Sequence, residues 1–364
     1  MRTTTNLPAA AIAAITLLSH LAHSCRLTGS QVYLRDMDNI INNTISKRWS
    51  HMEPGDGTKN TGDPFYIPFG QLWPGNTLIW CFSDESEWGG AQQANLIRQD
   101  IVAAWKLWIA AGVDEQTIIF REGNPAECSP SNQNVLDVIK GSLFSTVGHF
   151  TDGNVISLSD SPTSALGDRI ANFAHEIGHA WGMLHEHQRN NLWSYKYAGG
   201  KGFTDKWKFN CENVDGYDAW THGLTDDEIS LICTSYTEAK KGYIGSSGQS
   251  SNQLHLEEWL PLPKSFWQVS GGPSDYDEDS VMLYPSNLGG EADPDNNWQK
   301  KIVYTKADGT LITANTAPSV YDAEGLSDMY PKAEPDDTPC LLTDPCNPQE
   351  AAFRAAQGSG SCSS

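Results

Sequence analysis

Histidines and a glutamate crowd one short stretch of the chain, residues 175–185, where the sequence is HEIGHAWGMLH. His175 and His179 are four residues apart, so on a helix their rings project from one face about one turn apart. Two imidazole nitrogens at that spacing can reach one metal ion. Gly182 can end the helix in a left-handed turn, and the reversal that follows can bring His185 back as a third ligand.

Three histidine ligands leave the fourth position of a tetrahedral zinc ion open, which is typical of catalytic rather than structural zinc sites. Glu176 lies between the first two histidines and can hydrogen-bond a water at the metal without binding the metal itself. A run of core or surface histidines is the alternative interpretation, but it leaves the positions of the glycine and the glutamate unexplained. The pattern predicts one Zn²⁺ per chain, held by His175, His179 and His185, with Glu176 as general base.

The string HExxHxxGxxH resembles the motif of the metzincin metallopeptidases. The run HEHQR at 185–189, which contains Glu186, is similar to the astacin branch, and YDEDSVMLY at 276–284 resembles the astacin Met-turn region. This resemblance implies that Met282 lies beneath the zinc site. It also implies that Tyr284 is an extra zinc ligand at rest and stabilises the oxyanion during turnover.

The same resemblance assigns two further roles. Glu186 would bind the buried N-terminal ammonium of the mature enzyme. A strand would form the edge of the cleft and pair with the substrate backbone as an added strand; its residues are Asn154, Val155, Ile156, Ser157 and Leu158. Weaker likenesses are LWPGN at 72–76 and a closing helix that contains Ser319, Asp322, Leu326 and Tyr330. The segment 187–275 is longer than in typical astacins, which suggests an inserted subsite or lid loop.

Together these residues predict a secreted zinc metalloendopeptidase that hydrolyses peptide bonds in polypeptide substrates through a zinc-activated water. A non-catalytic zinc-containing binding or adhesion module is an alternative of another class, although such a module has no use for the carboxylate of Glu176. A metzincin of another branch is a third interpretation. Tyr284 and Glu186 favour the astacin type.

The surrounding elements predict an α+β fold of the metzincin type with two lobes. Apolar runs predict strands at 78–82, 117–120, 135–139 and 154–158. Apolar spacing predicts a helix that ends at Gly112 and buries Ile97, Ile101, Trp105 and Trp108. It also predicts an active-site helix over 168–181. The N-lobe, 64–185, would hold a mixed sheet, and the C-lobe, 186–332, would be irregular with the Met-turn and one helix near 226–233.

The N-terminal residues are typical of segments that are removed by proteases, and the C-terminal residues are typical of a tail outside the folded domain. Residues 1–24 combine Arg2, an apolar run and Ala22-His23-Ser24, which together are typical of a signal peptide. Residues 25–48 predict a propeptide, because a kexin-like protease can cut after Lys47-Arg48; an ordinary pair of surface cations is the alternative interpretation of these two residues. Residues 333–364 predict a cysteine-containing tail, rich in Pro, Asp, Ala, Ser and Gly.

Composition excludes other classes of protein. The chain of 364 residues has 45 acidic and 24 basic side chains and a formal charge of −21, which repels phosphate backbones and argues against nucleic acid as a partner. No later apolar run is long enough for a membrane anchor. Secretion would allow the eight cysteines to form disulfides, with Cys211–Cys233 and a bridge from Cys340 to Cys346 or Cys362 as plausible local pairs. Acidic clusters at 275–279 and 293–295 are better explained as solvated loops than as calcium sites.

Overall fold

The structure of the protein is a computed structural model that describes residues 71–332, apart from residues 83, 130–131, 133, 152, 162–164, 203, 246–247, 249, 264–275 and 294–295. The predicted signal peptide, propeptide and tail lie outside the described residues, as do Lys47-Arg48 and residues 64–70 of the predicted peptidase domain. These assignments, and the division into lobes at 185, stay predictions.

A mixed sheet of five strands occupies the first half of the described chain. Its strands are β1 (Thr77–Phe82), β2 (Ile119–Glu122), β3 (Leu136–Lys140), β4 (Phe144–Ser145) and β5 (Asn154–Leu158). Their order across the sheet is β2-β1-β3-β5-β4, and β4 is the only antiparallel member of this sheet among the described residues. The mixed sheet of the sequence prediction is thereby confirmed.

Two long helices cover this sheet, α1 (Ala91–Ala111) and α2 (Arg169–Ala180). The four predicted apolar positions of α1 are buried, namely Ile97, Ile101, Trp105 and Trp108. The helix stops as predicted at Gly112, whose φ of 126° is favourable only for glycine. Helix α2 begins where the Asp168 side chain accepts a hydrogen bond from the amide of Ala171 at 2.8 Å. Trp108 Nε1 donates to the carbonyl of Ala174 at 3.0 Å and so ties α1 to α2.

Short elements make up the second half. The helices are α3 (Tyr217–Thr221), α4 (Asp226–Ile232), α5 (Tyr236–Lys241) and α6 (Val320–Met329), and the strands are β6 (Trp207–Phe209), β7 (Ala292–Asp293), β8 (Asn296–Lys300) and β9 (Tyr304–Lys306). Helix α4 confirms the helix predicted near 226–233, and α6 lies where the closing helix was expected. Ser319 caps α6 by accepting from the amide of Asp322 at 2.9 Å.

Two hydrophobic clusters hold these halves. The first joins the sheet, α1 and α2 with residues from far along the chain, among them Val281, Met282, Leu326 and Tyr330. The second is built mainly from residues after Met183, including Leu192, Trp193, Trp207, Leu260 and Tyr304. Because Val281 and Met282 belong to the first cluster, the segment that follows the long irregular region is anchored under the active-site helix.

The C-terminal end of α2 receives hydrogen bonds from both ends of the described chain. Trp73 Nε1 donates to the carbonyl of Ala180 at 2.7 Å, and the Tyr330 hydroxyl donates to the carbonyl of Trp181 at 2.9 Å. The amide of Trp73 also donates to the Tyr330 hydroxyl oxygen at 3.2 Å. These bonds satisfy carbonyls that the last helical turn leaves without intrahelical partners.

Two disulfides cross-link the described residues, Cys81–Cys128 and Cys211–Cys233. The second confirms a predicted local pair, whereas the first joins cysteines far apart in sequence that no local pattern relates. The predicted pairings of Cys340, Cys346 and Cys362 lie outside the described residues. Nowhere in the part of the chain that the structure describes is a helix both long and apolar enough to cross a bilayer.

One sequence prediction about the sheet is wrong. Strand β5, expected at the cleft edge, is hydrogen-bonded on both sides, with β3 on one side and β4 on the other. The amide of Thr146 also donates to the carbonyl of Val155 at 2.9 Å and extends this cover. The outermost strand on that side, among the described residues, is therefore β4. Its two residues are too few to produce a recognisable alternation, so no pattern in the sequence predicts this strand.

Candidate metal centre

The three histidines are brought together by α2 and the turn that follows it. His175 and His179 lie on one face of α2, and Gly182 reverses the chain with a φ of 104°. His185 Nε2 lies 3.3 Å from His175 Nε2 and 3.0 Å from His179 Nε2. This trio is the one group of three or more His, Cys, Asp or Glu side chains in the described residues that could share a metal ion. The predicted convergence is confirmed.

Each ring is oriented by a hydrogen bond from its other nitrogen. His175 Nδ1 donates to the carbonyl of Val281 at 2.8 Å, and His179 Nδ1 donates to the carbonyl of Met183 at 2.8 Å. His185 Nδ1 donates to the side-chain oxygen of Gln188 at 3.0 Å. These acceptors place the ring proton on Nδ1, so all three Nε2 atoms carry lone pairs that face one another.

Three lone pairs at such distances repel one another unless a cation lies between them. Burial lowers the pKa of His175 to about 4 and that of His179 to about 3, so the rings are neutral, the form that binds a metal. Burial also lowers the pKa of His185 well below its usual value. Protonation therefore does not relieve the repulsion. The donor set fits a zinc ion, for which three neutral imidazoles are common ligands.

Glu176 is the carboxylate nearest to this trio in sequence, and it is 5% exposed. Its Oε2 atom has no hydrogen-bond partner among the described residues. Burial, together with the charge of Glu258, raises the pKa of Glu176 to about 8. An unpartnered, desolvated carboxylate has a high affinity for a proton, which is the property a general base needs.

Tyr284 lies over the histidines, and its hydroxyl forms a hydrogen bond with Glu258, a residue that no motif in the sequence predicts. Its ring centroid is 4.2 Å from that of His185, and its hydroxyl donates to Glu258 Oε2 at 3.4 Å. The predicted roles of Tyr284 at the metal and at the oxyanion are not tested and stay predictions. The sequence does not predict a role for Glu258, because this residue lies in an irregular segment without a periodic pattern. The neighbouring acidic residue Glu257 is the one local feature that could have pointed to it.

Met282 supports the helix between the first two ligands. It lies in a turn closed by a hydrogen bond from the amide of Leu283 to the carbonyl of Ser280 at 3.1 Å. A Cβ atom on Gly178 would be 2.6 Å from the sulfur of Met282, so the helix needs glycine at that position. The same turn provides the carbonyl that orients His175.

Glu186 takes part in a buried ion pair. Its Oε1 accepts from Arg189 Nη1 at 2.6 Å and from the amide of Asp277 at 3.1 Å. The expected partner, the ammonium of a mature N-terminus, lies outside the described residues. Asp277 is itself buried and accepts a hydrogen bond from Ser319, so it is not part of a solvated loop.

Two pockets form a cleft above the trio, and both are lined by Leu143, His175, Glu176, Glu258 and Tyr284. The strand pocket, about 370 Å³, also includes the β4 residues Phe144 and Ser145. The tryptophan pocket, about 220 Å³, also includes Leu166, Trp259 and Leu288. The predicted strand 154–158 lines neither pocket. The cleft places backbone, carboxylates and the histidine trio within reach of one extended ligand.

Comparison with known proteins gives limited likenesses. No protein-family model matches the chain, and no curated protein matches it by sequence. Among solved structures, high choriolytic enzyme 1, a hatching enzyme zinc-protease from Oryzias latipes (medaka fish), is 13% identical, with a TM-score of 0.41 over 72% of this chain and 94% of that one. Two structures of myroilysin are each 15% identical, with TM-scores of 0.38 over 72% of this chain and 97% of that one, and 0.34 over 79% and 91%. Overlaps of this size do not by themselves establish an activity.

Proposed function

We propose that this chain is a secreted zinc metalloendopeptidase of the astacin type, with one zinc ion bound by His175, His179 and His185. The observation that carries the proposal is the pairing of three converging Nε2 lone pairs with the unpartnered, buried carboxylate of Glu176 in an open cleft. A structural zinc site would be closed by a fourth protein ligand and would have no use for that carboxylate.

When bound, zinc supplies Lewis-acid chemistry: it lowers the pKa of a water and polarises the scissile carbonyl. Glu176 accepts the proton of the attacking water and later delivers it to the nitrogen of the leaving amine. Burial raises the pKa of Glu176, and the charge of a bound zinc ion would lower it again towards the ionised form that accepts a proton. The hydroxyl of Tyr284 would leave Glu258 and donate to the oxyanion of the tetrahedral intermediate.

The cleft would hold an extended polypeptide next to β4. Within the described part of the chain, strand β4 pairs with β5 on one side, so the backbone groups on its other side can pair with a substrate strand. Backbone pairing makes little demand on sequence, which suits hydrolysis of peptide bonds inside proteins. Secretion and removal of a propeptide rest on residues 1–48 and belong to this proposal.

A digestion assay with matched metal analysis tests the function. Zinc-loaded protein should bind one equivalent of zinc by mass spectrometry and digest casein, and a chelator should stop the digestion. Glu176→Gln should retain the zinc and lose about 10²–10⁴-fold in rate. Digestion that survives in this variant would overturn the role of Glu176. Zinc binding without any digestion by the unaltered protein would favour the non-catalytic module instead.

A further inference from the structure

Glu258 stands at the centre of the cleft on an element that is fixed from behind. It lies in the 3-10 turn Leu256–Trp259, within the long segment that follows His185. His187 Nε2 donates to the carbonyl of Glu258 at 2.8 Å, and Gln188 Nε2 donates to the carbonyl of Glu257 at 2.8 Å. These hydrogen bonds fix the backbone of the turn to the residues that follow the third histidine, so the turn and the histidine keep a constant relative position.

The carboxylate of Glu258 has little internal charge compensation. Its side chain is 45% exposed, and within the described chain no lysine or arginine nitrogen comes within 4.0 Å of it. His185 Nδ1 is 3.9 Å away but donates its proton to Gln188, so it does not pair with Glu258. His255 and Lys240 interact with the charge of Glu258, but no ion pair within 4.0 Å joins either of them to it. Among the described residues, the hydrogen-bond donor found at this carboxylate is the neutral hydroxyl of Tyr284.

Other carboxylates around Glu258 add negative charge to the same cleft. Glu176, 5% exposed and with Oε2 unpartnered, lines both pockets together with Glu258, and Glu257 lines the strand pocket. Burial raises the pKa of Glu176, and the charge of Glu258 raises it further because the two carboxylates repel each other. The whole chain has a formal charge of −21, which attracts cationic peptides over a distance. A ligand that brings a positive charge here would relieve repulsion that the fold leaves in place.

We infer that Glu258 is a specificity residue that recognises a lysine or arginine side chain of the substrate directly beside the scissile bond. This inference rests on the proposed peptidase function. The aliphatic stem of the substrate residue would lie in the tryptophan pocket against Leu166, Trp259 and Leu288, and its cationic head would pair with the carboxylate. The hydrogen bond from Tyr284 shows that the carboxylate is one side chain away from the proposed reacting atoms.

Paired peptides test this recognition on the zinc-loaded protein. We would measure kcat/KM for quenched fluorescent peptides that carry arginine, or its neutral isostere citrulline, at the residue on either side of the cleaved bond. Arginine should be preferred at one of these positions by about tenfold or more, as expected for a charge-assisted pair in a half-exposed cleft. Glu258→Gln should reduce that ratio to near one. Glu212→Gln, an exposed acid that lines neither pocket, removes the same charge and should leave the ratio unchanged.

Binding without turnover separates this inference from the proposed function. Fluorescence anisotropy of the same peptides on Glu176→Gln protein should show the arginine preference, and the double variant with Glu258→Gln should lose it. Equal binding and equal kcat/KM for both peptides would overturn the inference. If Glu258 only holds Tyr284, Glu258→Gln should lower kcat for both peptides alike and leave the ratio intact, which would also overturn it. If the arginine peptide binds preferentially but no peptide is ever cleaved, the proposed peptidase function fails while the subsite stands.

Discussion

The two sides of the cleft differ in how completely the fold satisfies their polar groups. On the histidine side, every Nδ1 proton has an internal acceptor, and only the three Nε2 lone pairs remain unused. On the carboxylate side, Glu176 Oε2 has no partner in the described residues and Glu258 has only a neutral one. The first arrangement suits an ion held permanently, because its orienting bonds leave one geometry. The second suits protons and charges that arrive and leave in each turnover.

The largest effect should come from removing a ligand on the histidine side of the cleft. We expect His185→Ala to abolish stoichiometric zinc binding and all casein digestion, since two imidazoles on α2 cannot alone hold the ion against a competing chelator. Zinc content and initial rate measured on the same preparation check this. The control is His222→Ala, whose residue lines neither pocket and should leave both values unchanged. Full zinc content in the His185 variant would show that the trio is not the site.

Substitutions on the carboxylate side of the cleft should lower the reaction rate and leave the zinc content unchanged. Tyr284→Phe removes the hydroxyl that would leave Glu258 and donate to the developing oxyanion, so kcat should fall by about 10²–10³-fold while zinc content stays the same. Stopped assays on one quenched peptide, with zinc measured in parallel, separate the two quantities. Loss of zinc in this variant would instead assign Tyr284 to the histidine side as a ligand.

Among the three hydrogen-bond acceptors that orient the histidine rings, only Gln188 accepts through its side chain, whereas the other two are backbone carbonyls. Gln188 is therefore the acceptor that mutation can remove. Gln188→Leu removes the acceptor of the His185 Nδ1 proton, and zinc affinity should weaken by about 10–100-fold. Competition with a calibrated chelator measures this loss. Gln188→Glu keeps an acceptor at the same reach, and like the leucine variant it loses the donor to the carbonyls of Glu257 and Leu260. The difference in affinity between the two variants therefore reports the histidine bond. Equal affinity in the leucine variant would show that the ring is held by packing alone.

The smallest effect concerns the support beneath the histidines. Gly178→Ala would place a Cβ 2.6 Å from the Met282 sulfur, and we expect it to destabilise the fold by about 1–3 kcal/mol. Chemical denaturation measures the change. In a Met282→Ala background the same glycine substitution should cost less, because the obstructing sulfur is gone. An additive double mutant would show that the contact does not determine the helix position.

The sequence predicted the histidine side well and the carboxylate side poorly, for a physical reason. A helix fixes the relation of His175 to His179 through its own period, and one glycine suffices to return His185, so local spacing carries the geometry. Glu258 reaches the cleft through a chain of turns whose path depends on tertiary hydrogen bonds such as that from His187. No periodic pattern encodes such a path.

The sheet shows the same division between local and tertiary information. Runs of apolar residues located β1, β3 and β5 to within a residue or so, whereas β2 begins two residues later than predicted. The edge position of β4 could not be inferred, because it follows from the packing order of strands and not from the composition of any one of them. The disulfide Cys81–Cys128 was missed for a similar reason, since spatial proximity across 47 residues leaves no local trace.

The bonds from Trp73 and Tyr330 to the end of α2 bear on when the protein becomes competent during its synthesis. The carbonyl of Ala180 accepts from Trp73, which is synthesised before α2, but the carbonyl of Trp181 is capped only once a tyrosine about 150 positions later has emerged from the ribosome. Until then the turn that carries Gly182 and returns His185 lacks the contact with Tyr330. We therefore expect a nascent chain to lack a finished metal site until translation of the domain is almost complete, which under the proposed function would delay hydrolysis until then.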